Sequence, residues 1–294
     1  MKVDLPEGKY VLAVSGGVDS MVLLDLLSIL PRISLIIAHF NHSIRADSGE
    51  DERLVTDAAS RTGWPLEIGY GRLGPKSSEE TSRRARYEFL ESIRTKHEAT
   101  KIITAHHQDD LIETALINIL RGTNRRGLSA IADNTKVLRP LLNVSKTEIV
   151  KYARRHGLAW REDSTNQSPD YLRNYIRLEI TPKLNGHQKK ALIGSLAKIK
   201  QLNSEIDEQI RSLGLLIRPK KDIDRQLYAS LPDKIADELL VYWLRAGQMG
   251  EIDRNEVSRL KLALKTAKPD TQHTVKGSNQ LVVKVSTAGF KATS

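Results

Sequence analysis

The first two thirds of the chain alternate short runs of strand length with stretches whose apolar residues recur three and four positions apart. Tyr10–Val14, Ile33–Ala38, Leu66–Tyr70 and Lys101–Ala105 are the strand-length runs. Asp19–Leu30 places Val22, Leu23, Leu26, Leu27 and Leu30 at helical spacing, and Glu50–Thr62 is also helical in pattern. Glu79–Lys96 puts Ala85, Phe89 and Ile93 on one helix face, and a further helix is expected from about Asp109 to Leu120. Regular strand–helix alternation is the pattern of a parallel sheet covered on both faces. The expected fold class is therefore α/β, a parallel sheet flanked by helices.

Past the alternating region the pattern changes. Asn143–His156 reads as a helix, with Ser145 as N-cap, Glu148 completing a capping box and Gly157 as the stop. Pro182–Gly186 marks a candidate boundary, dividing the chain into residues 1–184 and a smaller, mostly helical domain of residues 185–294. His187–Leu213, Ile235–Arg245 and Asn255–Leu264 are the helices expected there. His273–Val285 alternates around Gly277–Ser278 and predicts a terminal hairpin.

Composition narrows the class. A length of 294 residues favours two domains, and 39% hydrophobic with 28% charged residues is ordinary for a soluble globular protein. The longest apolar runs are far too short to span a bilayer, and Met1–Tyr10 carries Asp4 and Glu7 rather than a signal sequence, so no membrane association and a cytoplasmic location are expected. The chain has no cysteine, which removes disulfides, thiolate metal sites and a cysteine nucleophile. Net charge is +10 and uneven: residues 1–184 hold 27 Lys and Arg against 24 Asp and Glu, residues 185–294 hold 19 against 12. The smaller segment thus carries most of the excess, which fits either a polyanionic partner such as nucleic acid or a solvated basic surface.

The chemistry begins at Ser15-Gly16-Gly17-Val18-Asp19-Ser20, between the first strand and the first helix. Two glycines let the backbone approach an anion closely. Successive amides and a helix N-terminus then form a phosphate cradle, with Ser15 and Ser20 as hydroxyl donors and Asp19 available to hold a magnesium ion. A bare Gly-Gly would read as turn chemistry; all six residues, after a strand and before a helix, read as a phosphate loop. No Gly-Lys-Ser/Thr follows, so it is not a Walker loop. It resembles the SGGxDS loop of the PP-loop ATP pyrophosphatases, which cleave ATP between its α- and β-phosphates. That resemblance implies an adenine nucleotide α hydrolase-like fold and a loop that grips the leaving pyrophosphate.

Further motifs follow in order: Ala38-His39-Phe40-Asn41-His42-Ser43-Ile44-Arg45, Arg83–Leu90, Thr104–Thr114, Arg121-Gly122-Thr123, Arg139-Pro140-Leu141-Leu142, Asp163-Ser164-Thr165-Asn166 and Arg173-Asn174-Tyr175-Ile176-Arg177. Together they resemble the tRNA(Ile)-lysidine synthase family over roughly residues 10–184. Ser43, Asn124 and Thr165 depart from the family pattern, and the short length leads us to expect that the extra C-terminal domain of longer members is missing. The resemblance implies ligation of free lysine to the wobble cytidine of a minor isoleucine tRNA, with ATP as co-substrate and magnesium as its counter-ion.

The residues themselves fit such chemistry. Asp110 and Glu113, three apart, share one helix face and can hold an ammonium group or a metal, or help take a proton from an amine. The alternative is acids placed at a helix N-terminus for its dipole, which suits Asp109 better. His106 and His107 face different ways and make a poor chelate; His106 reads as polar wall. Arg83, Arg84 and Arg86 are candidate RNA-backbone contacts, or else a solvated face paired with Glu79, Glu80 and Glu88. Arg121 is placed to neutralise charge on the α-phosphate. Arg173 and Arg177 share a face that the resemblance puts near ATP or the tRNA, with Arg177 catalytic and Arg173 on the RNA. Ala38 and His39 are expected beside the adenine. Nothing in the sequence fixes the oligomeric state, and a homodimer is allowed. The rivals are a tRNA thiolase, weakened by the lack of cysteine, an amide-forming ligase of a small molecule, and a nucleotide sensor without turnover.

Overall fold

A computed structural model of the chain describes residues 1, 3–41, 48–71, 79–123, 125, 127–129, 136–162, 172–217, 222–246, 254–275, 281–287 and 289–293. The segments 42–45, 124, 163–166 and 277–278, on which parts of the sequence reading fall, lie outside these. The residues divide into two compact units, Met1–Lys200 and Gln201–Ser294.

In the first unit, elements run β1 (Gly8–Ala13), α1 (Val18–Ser28), β2 (Ile33–Asn41), α2 (Ser48–Thr62), β3 (Leu66–Tyr70), α3 (Glu79–Lys96), β4 (Lys101–Ile103), α4 (Gln108–Leu120), β5 (Val137–Leu138), α5 (Lys146–Arg155) and α6 (Leu172–Tyr175). A π-helical turn, Ile176–Ile180, and a 3₁₀ turn, Thr181–Lys183, lead into α7 (Gly186–Ile217). The five strands form one parallel sheet in the order β3-β2-β1-β4-β5. The expected α/β class is observed. β5, two residues long, is too short to give a periodic signal and was not anticipated.

Continuous apolar runs become strands because both faces are covered. Along β1, Tyr10 and Leu12 point into the core shared with α1 and α5, whereas Val11 joins Leu90 and Ile93 of α3 on the other face. β2 does the same, with Leu35 and Ile37 on one side and Ile36 and Ala38 on the other. The order of strand addition reverses at β1: β2 and β3 are laid down on one side of it, β4 and β5 on the other. Crevices at such switch points, outside the carboxyl ends of the strands, are where open α/β sheets bind ligands.

The second unit contains the end of α7, then β6 (Asp222–Asp224), α8 (Arg225–Ser230), α9 (Asp233–Ala246), α10 (Arg254–Thr266), β7 (Thr271–Val275), β8 (Leu281–Val285) and β9 (Gly289–Thr293). Its helices pack around Tyr228, Leu239, Leu240, Leu244, Leu260 and Leu264. β7 and β8 form the expected antiparallel hairpin, extended to a four-stranded sheet β6-β9-β8-β7. No described helix is long and apolar enough to cross a membrane.

Gly69 of β3 faces the Phe89 ring, and a Cβ there would lie 2.6 Å from Cδ2 of that ring. Phe89 is itself held against Phe40, 5.5 Å between centroids. Gly69→Ala is expected to destabilise the chain by about 1–3 kcal/mol through overpacking, read as a lower denaturant midpoint at unchanged slope.

Candidate active site

The loop after β1 is shaped by its own residues. Gly16 has φ +89°, a left-handed conformation that only glycine adopts readily. Ser20 Oγ donates to Gly17 O at 2.9 Å and accepts from the Ser15 amide at 3.2 Å, which closes the turn. Gly17 caps α1 without a side-chain hydrogen bond, and an uncapped helix N-terminus of this kind has the chemistry of an anion site. Two residues absent from the sequence reading buttress the loop. The Arg161 amide donates to Gly16 O at 3.0 Å while its guanidinium binds Asp51 at 2.8 Å and Glu50 of α2. Lys146 Nζ bridges both oxygens of Asp19 at 2.8 Å. Both partners lie more than a hundred residues away in sequence or belong to no recognised motif, so spacing carries no signal for them.

Parallel pairing of β1 with β2 brings Ala38 and His39 beside the loop. The Ala38 methyl packs into the core on the α3 face, and its carbonyl accepts from the Val14 amide at 2.9 Å. His39 is buried, and its Nδ1 lies 2.9 Å from Val14 O. A carbonyl only accepts, so the proton sits on Nδ1 and Nε2 presents a bare lone pair. That Nε2 is buried with no protein partner.

The segment after β4 emerges beside this loop because β4 neighbours β1. His107 is the N-cap of α4: its Nδ1 accepts from the Asp109 amide at 3.2 Å, and its own amide donates to Asp110 Oδ2 at 2.9 Å. Its Nε2 therefore carries the proton and faces Asp19 at 3.6 Å and Asp110 at 3.4 Å. His107 thus links the two motifs. His106 instead bonds Thr104 Oγ1 at 2.8 Å, and burial pushes its pKa down to about 3, so the ring is neutral, consistent with a polar wall.

Asp110 and Glu113 converge on one cation, Arg177. Its Nε and one terminal nitrogen bind the two oxygens of Glu113 at 2.9 and 2.7 Å, and that same nitrogen lies 3.4 Å from Asp110. The π-helical turn that carries Arg177 is a local irregularity of the kind found at functional sites. The carboxylates differ electrostatically. Burial favours neutral Asp110, but His107, the amide of that residue and Arg177 outweigh burial and hold the carboxyl below its ordinary range. Burial pushes Glu113 up, and the hydrogen bonds from Arg177 offset it only in part. Two neighbouring acids pushed in opposite directions are an acid–base arrangement.

The remaining residues separate. Arg173, one turn before Arg177, contributes positive potential at Glu113. Arg83 and Arg86 lie 4.9 and 5.7 Å over Tyr87 and add positive charge at His106, while Arg84 pairs with Glu88 on the solvated face. Arg121 stands exposed at the far end of α4, about 16 Å along the axis from Asp110; the structure does not bring it to the carboxylates. Asp109 binds Lys189 at 3.0 Å beside a polar cavity of about 530 Å³ lined by Gln108, Ser145, Thr147 and Lys190. Arg139 of the Arg-Pro-Leu-Leu motif is buried near His106. Among the described residues, no group of three or more His, Cys, Asp or Glu could hold a metal.

Residues 1–184 match the PP-loop domain family. The chain is 36% identical over 210 residues to the tRNA(Ile)-lysidine synthase of Chlorobaculum tepidum, covering 68% of this chain and 63% of that protein. It is 35% identical over 192 residues to the bifunctional protein TilS/HprT of Listeria monocytogenes, covering 60% of this chain and 30% of that one. The chain thus spans between about a third and two thirds of these relatives. Its fold is similar to that of the U34-tRNA thiolase NcsA from Methanococcus maripaludis, with TM-score 0.57 and 16% identity over 67% of this chain and 72% of that one.

Arg177→Met leaves a buried carboxylate without its main counter-charge and is expected to cost about 3 kcal/mol at neutral pH. In that variant the folded Glu113 holds its proton to higher pH than the unfolded chain does. The deficit therefore shrinks as pH falls through that raised pKa. Arg177→Met with Glu113→Gln should recover most of the loss, measured by denaturant titration of all three variants across pH.

Proposed function

The chain belongs to the PP-loop domain family, and on that premise we propose that it is a ligase joining free lysine to the wobble cytidine of a minor isoleucine tRNA, using ATP and releasing AMP and pyrophosphate. The observation that carries this reading is the pair Asp110 and Glu113, an ammonium-shaped seat filled by Arg177, one strand away from the phosphate loop. The similarity to lysidine synthases supports the choice of substrates.

In this mechanism the triphosphate lies on Ser15–Ser20, with Ala38 and His39 at the adenosine. The bare Nε2 of His39 accepts a hydrogen bond from the nucleoside. Magnesium arrives with ATP as part of the substrate. Mg²⁺ keeps waters and phosphate oxygens around it, so a single carboxylate, that of Asp19, suffices. The carbonyl oxygen of the cytosine attacks the α-phosphorus, and the bond to the bridging oxygen breaks, releasing pyrophosphate and leaving an adenylated base. Arg177 turns to the α-phosphate and vacates the carboxylates. The lysine side-chain ammonium takes its place on Asp110, which stays ionised. Glu113, with its raised pKa, accepts a proton from that ammonium. The free amine attacks the activated carbon and AMP leaves. Arg83, Arg84, Arg86 and Arg173, with the basic C-terminal segment, contact the RNA backbone. The reaction belongs to the cytoplasm, where tRNA, ATP and lysine meet.

Incubation with ATP, lysine and the tRNA is expected to yield AMP, not ADP, and a lysine-bearing cytidine by nucleoside mass spectrometry. Asp110→Asn is expected to abolish lysine transfer with the fold retained by circular dichroism; ADP as product or an unmodified tRNA overturns the reading. The rate of lysine transfer should fall on acidification with a midpoint above the ordinary glutamate range, because Glu113 must be unprotonated to accept.

A further inference from the structure

The carboxylate of the phosphate loop is held by a cation from a distant part of the chain. Lys146 Nζ lies 2.8 Å from both oxygens of Asp19, a contact that joins the start of α5 to the start of α1. Lysine is a poor choice for that position on local grounds. It is the first residue of α5, where the helix dipole disfavours positive charge. Stability does not account for it either: the Lys146 side chain is 40% exposed, and exposed ion pairs contribute little.

The root of this side chain is nevertheless fixed. The Ser145 amide donates to Glu148 Oε2 at 3.0 Å and the Glu148 amide to Ser145 Oγ at 3.3 Å, a complete capping box that sets where α5 begins. Ile149 and Ala153 of α5 are buried in the same core as α1, and Tyr152 Oη donates to Asp25 of α1 at 2.9 Å. A rigid root and a flexible, exposed stem suit an ammonium that moves between two anionic partners without backbone change.

We infer that Lys146 is a phosphate ligand: it holds Asp19 while the loop lacks nucleotide and passes to the β- and γ-phosphate oxygens when MgATP binds. The inference rests on the nucleotide reading above. Asp19 and a triphosphate on the same loop repel each other unless a cation stands between them. Magnesium entering with the nucleotide takes Asp19, and the displaced ammonium meets the phosphates. There it neutralises charge that accumulates on the departing pyrophosphate, and an ammonium with three rotatable donors adapts to either partner.

The test is titration calorimetry of the full chain with magnesium pyrophosphate, for wild type, Lys146→Met and Lys146→Arg, paired with steady-state kinetics. Lys146→Met is expected to weaken binding on the order of tenfold to a hundredfold, the range of one charge-assisted hydrogen bond, and Lys146→Arg to restore most of it. KM for ATP should rise while KM for lysine stays unchanged. Should Lys146→Met misfold, the arginine variant and wild type can be compared in magnesium-free buffer. There Asp19→Asn, which releases Lys146, is expected to bind free pyrophosphate more tightly, and Asp19→Asn with Lys146→Arg to keep that gain. Equal pyrophosphate affinity of wild type and Lys146→Met, or no gain in Asp19→Asn, overturns the inference alone. Failure of wild type to bind magnesium pyrophosphate overturns the nucleotide reading, and this inference with it.

Discussion

Neutralisation of the carboxylates at the carboxyl edge of the parallel sheet is the constraint on which the rest of the site depends. Asp19, Asp110 and Glu113 stand around the loop proposed to take the triphosphate, and like charges gathered at one edge call for counter-charges. The chain supplies a cation to each, Lys146 to Asp19 and Arg177 to Glu113 and Asp110, and sets the Nε2–H of His107 between Asp19 and Asp110. Lysine and arginine are also phosphate ligands by chemistry, so under the proposed function a metal-bound polyphosphate and a free ammonium would exchange partners with them instead of burying new charge.

The sheet order makes this arrangement accessible. The phosphate loop follows β1, the acidic helix follows β4, and Lys146 opens the helix that follows β5; the three strands stand side by side in the order β1-β4-β5. Parallel strands send all their carboxyl ends to one edge, and the switch in strand order between β1 and β4 opens the crevice there. Groups separated by more than a hundred residues in sequence therefore act as one cluster. The π-helical turn at Ile176–Ile180 adds the last member by aiming Arg177 back onto α4.

The strand–helix alternation was legible because the central strands β1 and β2 are buried on both faces and helices such as α2 and α3 keep one apolar face against a polar one. The short β5 and β6 were not, since two- and three-residue segments have no period and pair only with distant chain. Within the site, Gly16 and the spacing of Asp110 and Glu113 are local features, and local features survive in sequence. The contacts of Lys146 and Arg161 and the split between the two carboxylates arise from tertiary neighbours. The same burial that hides Glu113 is invisible in a string of residues, and so is the exposure of Arg121 at the far end of α4 from Asp110.

The central claim is that the amides at the start of α1 receive the diphosphate that leaves the nucleotide. A crystal structure of the chain with magnesium and an ATP analogue carrying a non-cleavable α–β bridge tests it most directly. The account places the β- and γ-phosphates on the backbone of Gly16–Ser20 with the α-phosphate turned toward Arg177. A triphosphate bound elsewhere, with that turn unoccupied, would contradict it.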